Sequence, residues 1–335
     1  MTSTTAQTTT VADLVDSAAG RVVCLSMSKD PNAKLTVLLF DPGQSRPSRV
    51  AKVPTTEAAA RAVHAEAAVL RGLERMDLGP LADTIPHLRA LADDRGRAVL
   101  VTSALPGRQM LALYHTWRHT ARPDTVAADF AAAGRWLAEL ARRTCGGHRD
   151  LSTMVSTATD VIERRFADDP GIGSDLRRLA ALREELSGHP VPDVVVHNDF
   201  WPGNLLVAGG RISGVFDWEG ASLQGLAVRD VAHFALTYSL YLDRHTRAGR
   251  RVPGHCGLRA GTWGAGLDYA VDGAGWYPDL VRRFVTDALD RLGLPARLCR
   301  AVLLAEIACI AAEADHHEFA SSHLLAYRRL SGTPS

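Results

Sequence analysis

The most constraining feature of this sequence is a change of period. Between Arg21 and Pro54 apolar residues come in short runs, Arg21 to Met27, Leu35 to Phe40 and Arg49 to Val53. They are separated by the turn-forming stretches Ser28-Lys29-Asp30-Pro31-Asn32 and Asp41-Pro42-Gly43-Gln44-Ser45. That pattern predicts an antiparallel meander. From Thr55 to Leu73 the spacing becomes helical, with Ala60, Val63, Ala67 and Leu70 on one stripe, Thr55 or Thr56 as the cap, and Gly79-Pro80 closing the region. A strand over Ala98 to Ser103 runs into the linker Pro106-Gly107. From Arg108 to His189 the chain is mostly helical, with Phe130, Gly134, Leu137 and Leu140 on one stripe and a polar break at Asp168-Asp169-Pro170-Gly171. Strand-like runs at Asp193 to Val196 and Asn204 to Val207, with Gly209-Gly210 turning into Ile212 to Phe216, insert a small hairpin. Beyond Gly225 everything reads as helix or loop to about Leu330.

A chain of 335 residues is long for one core and short for three. The expectation is an α+β chain of two lobes: a disordered tail over 1–12, an N-terminal lobe over 13–104 built on a small antiparallel sheet, and a larger helical C-terminal lobe over 105–335. The balance of 38 basic against 37 acidic residues gives no electrostatic footprint for nucleic acid. Five scattered cysteines, none in a C-x-x-C pair, suggest neither a disulfide framework nor a zinc ribbon, and fit a reducing cytoplasm. The Thr-rich start has no basic segment or apolar core, and the most apolar stretch near the C-terminus is broken by Glu306, Glu313 and Asp315. No export signal and no membrane span are expected. Oligomeric state is not readable.

The most informative window is His197-Asn198-Asp199-Phe200-Trp201-Pro202-Gly203-Asn204, followed thirteen residues later by Asp217 at a predicted strand end. Phosphoryl transfer needs an acceptor for the proton of the attacking hydroxyl, and oxygen ligands for a magnesium ion on the nucleotide phosphates. Asp199 suits the first task; Asn204 and Asp217 suit the second. An amide with a carboxylate fits a half-hydrated hard cation whose phosphates already bring most of the negative charge. Taken singly, each has a plain alternative, since an aspartate at a strand end is usually a turn or cap. The joint order, flanked by strands that meet in a hairpin, favours chemistry.

The second constellation is Lys52, in Val50-Ala51-Lys52-Val53-Pro54, with Glu66 in the helix that follows. A strand lysine can contact the α- and β-phosphates while a helical glutamate holds its ammonium. Lys29, Lys34 and Lys52 are the only lysines, the remaining 35 of the 38 basic residues being arginine, which raises the interest of any lysine in a plausible site. Glu57 competes as partner, but it lies in the first helical turn, where the helix dipole favours a carboxylate anyway.

The segments Ala51-Lys52-Val53, Glu66 to Leu70, Leu100 to Gly107, His197 to Leu205 and Val215-Phe216-Asp217-Trp218-Glu219 occur in order across residues 52 to 219. On these the sequence resembles the aminoglycoside phosphotransferase and choline kinase family, which has the bilobal protein-kinase-like fold. The resemblance implies an ATP- and Mg2+-dependent transfer of the γ-phosphoryl group to a hydroxyl of a small molecule: a sugar, nucleoside, amino alcohol or antibiotic. It implies Asp199 as catalytic base, Lys52 with Glu66 as the phosphate-positioning pair, and Asn204 and Asp217 as metal ligands. The nucleotide is expected in the N-terminal lobe, with adenine near Ser103 and Leu105, and the acceptor in the C-terminal lobe. Asp230 matches an acidic position that braces the catalytic loop. The sequence departs from the pattern in lacking G-x-G-x-x-G over the phosphates, Ser28 and its neighbours standing there, and in carrying Ser103 where the hinge usually has glutamate.

A protein acceptor is disfavoured, because only twelve residues separate Asp217 from Asp230, too few for an activation segment. From Val231 onward 10 acidic residues face 12 arginines, which argues against a polycationic acceptor unless pairs such as Asp268 with Asp272 form a local acidic wall. The rival reading is a catalytically inactive kinase-like module that only holds nucleotide. Against it stands the complete set Lys52, Asp199, Asn204 and Asp217.

Overall fold

The computed structural model describes residues 21–27, 32–94 and 97–332; the expected tail over 1–12 and Ser28 lie outside them. The chain divides into two compact units. The first comprises the residues up to Gly107 together with Ser213–Ala221, the second Arg108–Ile212 and the residues from Ser222 on.

The first unit is built on a five-stranded antiparallel sheet of order β1-β2-β3-β5-β4. Its strands are β1 (Val22–Met27), β2 (Lys34–Leu39), β3 (Arg49–Pro54), β4 (Leu88–Asp94) and β5 (Arg97–Ser103). Strand alternation divides the work of β5: Val99 and Val101 join Val37, Leu39, Ala51 and Ala92 in one buried layer, while Leu100 joins Val63 and Ala67 of the helix in another. That helix, α1 (Glu57–Leu73), starts at Thr56, whose hydroxyl accepts from Ala59 N at 3.0 Å. Lys52 pairs with Leu100 across β3 and β5. It alternates with Ala51, so it shares neither neighbour's layer and faces α1. The sequence pattern gives no strand signal over Leu88–Asp94, because Leu-Arg-Ala-Leu-Ala is helix-forming in composition. Pairing with β5 decides it, from Leu88 opposite Thr102 to Asp94 opposite Arg97.

In the second unit, β7 (His148–Asp150), β8 (Pro190–Val196) and β11 (Ser222–Leu226) form a sheet with β8 central. β6 (Arg108–Gln109) pairs with β9 (Leu205–Ala208). The expected hairpin turn is present: Gly209 and Gly210 both have positive φ, 57° and 71°, and lead into β10 (Arg211–Val215). The helices are α2 (Met110–Tyr114), α3 (Pro123–Thr144), α4 (Thr153–Arg165), α5 (Ile172–Leu186), α6 (Ala227–Leu240), α7 (Ala265–Asp272), α8 (Trp276–Arg291), α9 (Cys299–Glu313) and α10 (His317–Ser331). The polar break at Asp168 to Gly171 separates α4 from α5. Phe130 of α3 packs edge-on against Phe234 and Tyr238 of α6 and Phe284 of α8, with ring centroids 5.0–5.2 Å apart. α9 is apolar on nearly every side, as a helix at the centre of a bundle must be, and Glu306 is its one buried carboxylate. No described helix is long and apolar enough to cross a membrane.

Candidate active site

In the first unit Lys52, Glu66 and Asp217 come together. The Lys52 ammonium lies 2.8 Å and 2.6 Å from the two Glu66 oxygens and 2.7 Å from Asp217 Oδ1. Glu66, only 1% exposed, falls on the buried stripe of α1 between Val63 and Leu70, whereas Glu57 is exposed in the first turn. Burial opposes the charge on Lys52, but Asp217 and Glu66 outweigh it, and its pKa stands above the ordinary lysine range. Glu66 also accepts from the backbone N–H of Trp218 at 3.3 Å, so one carboxylate fixes both the lysine and the turn that carries Asp217. Trp218 is fully buried and donates its indole N–H to Val215 O at 2.9 Å. Asp217 itself has φ 71°, a left-handed conformation that a non-glycine residue adopts only when its surroundings hold it there.

Sequence reasoning missed two further members. Glu219 forms an ion pair with Lys34 of β2 and accepts from Asn32 Nδ2 at 2.7 Å. Burial first, and then the neighbouring Asp217, raise the Glu219 pKa, with Lys34 opposing. The signals were present: Lys34 is one of three lysines, and Glu219 stands two residues beyond Asp217. Oxygens of Glu66, Asp217 and Glu219 all lie within 4.8 Å of one another, a hard donor set of the kind a divalent cation takes. Ser103 ends β5 in this same unit. Its N–H donates to His87 O and its hydroxyl accepts from His87 N, each at 2.9 Å. Leu105 follows two residues later and is half-buried.

In the second unit the candidate window His197 to Asn204 follows directly on β8. Asn204 Nδ2 donates to Asp199 Oδ2 at 2.7 Å and to Asp199 O at 3.0 Å. Those two bonds use the amide nitrogen and leave the amide oxygen as the end suited to a cation. The Asp199 side chain is 50% exposed. Its loop is braced from beneath: Asp230, in the first turn of α6, accepts from the backbone N–H groups of His197 and Asn198 at 2.7 Å and 2.8 Å. Asn198 has φ 62°, a second left-handed non-glycine residue at a predicted site. Phe200 is buried and stacks on Trp136 at 5.3 Å. The Trp201 ring lies over Gly203, where a Cβ would stand 2.1 Å from the indole, so only glycine fits. One more contact went unforeseen: His233 Nε2 lies 3.4 Å from Asp199 Oδ1.

Comparison with known proteins identifies the chain at family level. A family model described as the APH phosphotransferase enzyme family matches residues 35–255. No curated protein matches the sequence. Among solved structures, aminoglycoside phosphotransferase APH(4)-Ia in its apo form, as a thermostable mutant, is similar with a TM-score of 0.58 and 15% identity over 96% of this chain and 99% of that one. The streptomycin–ATP–APH(2")-IIa ternary complex gives a TM-score of 0.53 and 14% identity over 95% of both chains. ADP-bound APH(2'')-Ib gives 0.52 and 14%, over 93% and 92%. At such identities these likenesses speak to the fold, which is the bilobal, kinase-like α+β architecture. With the family model covering well over half its length, the chain belongs to the APH phosphotransferase enzyme family.

Proposed function

We propose that this protein transfers the γ-phosphoryl group of ATP to a hydroxyl of a small molecule, with Asp199 as the base. The observation that carries the reading is the grip on Lys52: a buried glutamate holds both sides of an ammonium that also faces Asp217, the arrangement that positions a cation for phosphate oxygens. Solved relatives of the same fold are named as complexes with ATP or ADP and with streptomycin or hygromycin B, which supports a nucleotide donor and a small acceptor. Asn204 and Asp217 would hold Mg2+, which when bound neutralises charge on the transferring phosphate. Their oxygen chemistry fits such an ion, and the carboxylate cluster at Asp217 matches it in hardness.

The chain's own groups do the rest. Asp199 orients the acceptor hydroxyl and takes its proton as the phosphate bond forms; Asn204 keeps the carboxylate in place through Oδ2. Lys52 stabilises charge on the nucleotide phosphates. Three C-terminal acids that could have built an acidic wall are held by arginines, which supports an acceptor less charged than a polycation: Asp268 with Arg329, Asp272 with Arg300, Glu313 with Arg229. A sugar, nucleoside or amino alcohol suits that surface, in the cytoplasm where ATP is available.

A donor and acceptor screen read by mass spectrometry tests this. Wild type is expected to add one phosphoryl group to at least one alcohol, and Asp199→Ala to lose at least about a thousandfold in kcat while still binding ATP. Near-normal turnover in Asp199→Ala would remove the base. ATP binding without transfer to any acceptor would favour the inactive module.

A further inference from the structure

The carboxylate proposed as base sits at one end of a line of charges that the phosphotransferase reading does not use. From Asp199 Oδ1 the line runs 3.4 Å to His233 Nε2, then from His233 Nδ1 2.9 Å to Glu306 Oε1. From Glu306 Oε2 it continues 3.2 Å to Arg229 Nε, and from Arg229 Nη2 2.8 Å to Glu313 Oε2. Two helices build it. Arg229 and His233, four residues apart, share a face of α6; Glu306 and Glu313, seven apart, share a face of α9. Its middle is buried, with His233 8% exposed and Glu306 1%, while Asp199 opens to solvent.

A buried carboxylate in a helix as apolar as α9 is expensive to keep unless it is fully paired. Arg229 takes only one oxygen of Glu306. The other accepts Nδ1–H and fixes the histidine ring with Nε2 toward Asp199, and Nε2 carries a proton as well once the ring is an imidazolium. α6 therefore holds the catalytic loop at two points three residues apart. Asp230 takes the backbone N–H groups of His197 and Asn198, and His233 takes the side chain of Asp199.

We propose that His233 is a positioning residue for phosphoryl transfer: fixed by Glu306, it donates Nε2–H to Asp199 Oδ1 and sets the orientation of the base. The proposal rests on the reading of Asp199 as that base. With Oδ2 held by Asn204 and Oδ1 by His233, an ionised carboxylate still keeps lone pairs for the incoming hydroxyl, but no longer turns freely. The 3.4 Å separation is long for a charge-assisted bond, as contacts around a base often are before substrate binds. Burial disfavours an imidazolium at this position, yet hydrogen bonds to Asp199 and Glu306 outweigh it and raise the His233 pKa to about 10. The donor is thus present at neutral pH. The other histidine facing the pair, His323, is driven by burial down to about 4 and stays neutral.

Two readouts test the proposal. In steady-state kinetics with the acceptor found by screening, His233→Phe should lower kcat about tenfold to a hundredfold, with the KM for ATP within about twofold of wild type. His233→Gln, whose amide nitrogen can reach the same oxygen, should recover most of that loss. A folded His233→Phe with wild-type kcat overturns the proposal, as does His233→Gln no better than His233→Phe. The second readout needs no acceptor and no turnover: 15N NMR of histidine-labelled protein, with the His233 signals assigned by their loss in His233→Gln. Both ring nitrogens should remain protonated at pH 8, and Asp199→Asn, a change at a half-exposed side chain, should lower the midpoint by at least one pH unit. An unmoved midpoint means the two groups do not interact, and the proposal fails even if transfer is confirmed. A midpoint that moves while no acceptor is ever phosphorylated would keep the contact and sink the functional reading instead. Should His233→Phe fail to fold because Glu306 is stranded, the Asp199→Asn titration decides.

Discussion

The two units carry charge clusters made of matching ingredients and put to different ends. Around Lys52, two cations, Lys34 and Lys52, face three carboxylates, Glu66, Asp217 and Glu219. Along α6 and α9, Arg229 and protonated His233 face Asp199, Glu306 and Glu313. Each set has one more acid than base. The first set is a knot: its carboxylate oxygens converge within 4.8 Å, and Asp217 and Glu219 keep part of their surface open. The second is a line: its centre is closed, and the excess charge sits on Asp199 and Glu313 at the ends. A knot of convergent oxygens suits gripping a cationic ligand between phosphates. A line can hold a single carboxylate in one orientation. The same residue types thus give a convergent cluster in one unit and an extended chain of charges in the other, by geometry alone.

Breaking the knot should have the largest effect. Lys52→Met leaves Glu66 buried without its main partner. We expect a loss of about 3 kcal/mol in unfolding free energy by denaturant titration, together with a drop of about a hundredfold or more in kcat/KM for ATP. A stable variant with wild-type nucleotide kinetics would show that the knot is structural only.

The line sharpens the contrast through pH. His233 has a folded-state pKa of about 10, raised above its ordinary 6.5. Its contribution to stability is therefore complete below pH about 6.5 and lost as pH rises through about 10. Thermal unfolding followed from pH 6 to pH 10 should show a steeper fall for wild type than for His233→Gln. Parallel curves would mean that His233 is not held protonated in the folded state.

The smallest effect belongs to an ion pair outside both sets. Asp272 and Arg300 form a two-point bridge at 2.8 Å and 2.9 Å, but both are about a third exposed. Asp272→Asn should change stability by less than about 1 kcal/mol and leave turnover alone. A fall in turnover without a fall in stability would place Asp272 in the acceptor site and reopen the case for a polycationic acceptor.

The Lys52–Glu66 part of the knot was legible in the sequence because periodicity determines it, whereas its Lys34–Glu219 pair was not. Lys52 lies between Ala51 and Val53 on a strand whose alternation assigns its face. Glu66 lies between Val63 and Leu70, on the stripe that must be buried, which also separates it from Glu57. Asp199 and Asn204 were legible from spacing within a single loop. The line was not legible, since His233 and Glu306 stand 73 residues apart on helices whose mutual rotation no local pattern reveals. Its one trace was a carboxylate in an otherwise apolar helix, which reads as a break in a membrane-like run until a partner is known. β4 escaped for a related reason: its residues prefer helix, and only the partner strand overrules them.

The most direct measurement follows the label from γ-labelled ATP in the presence of the acceptor panel. Covalent label is expected in an organic product with wild type, and none with Asp199→Ala at matched ATP occupancy. Label released solely as inorganic phosphate, or equal labelling by both proteins, would contradict that expectation.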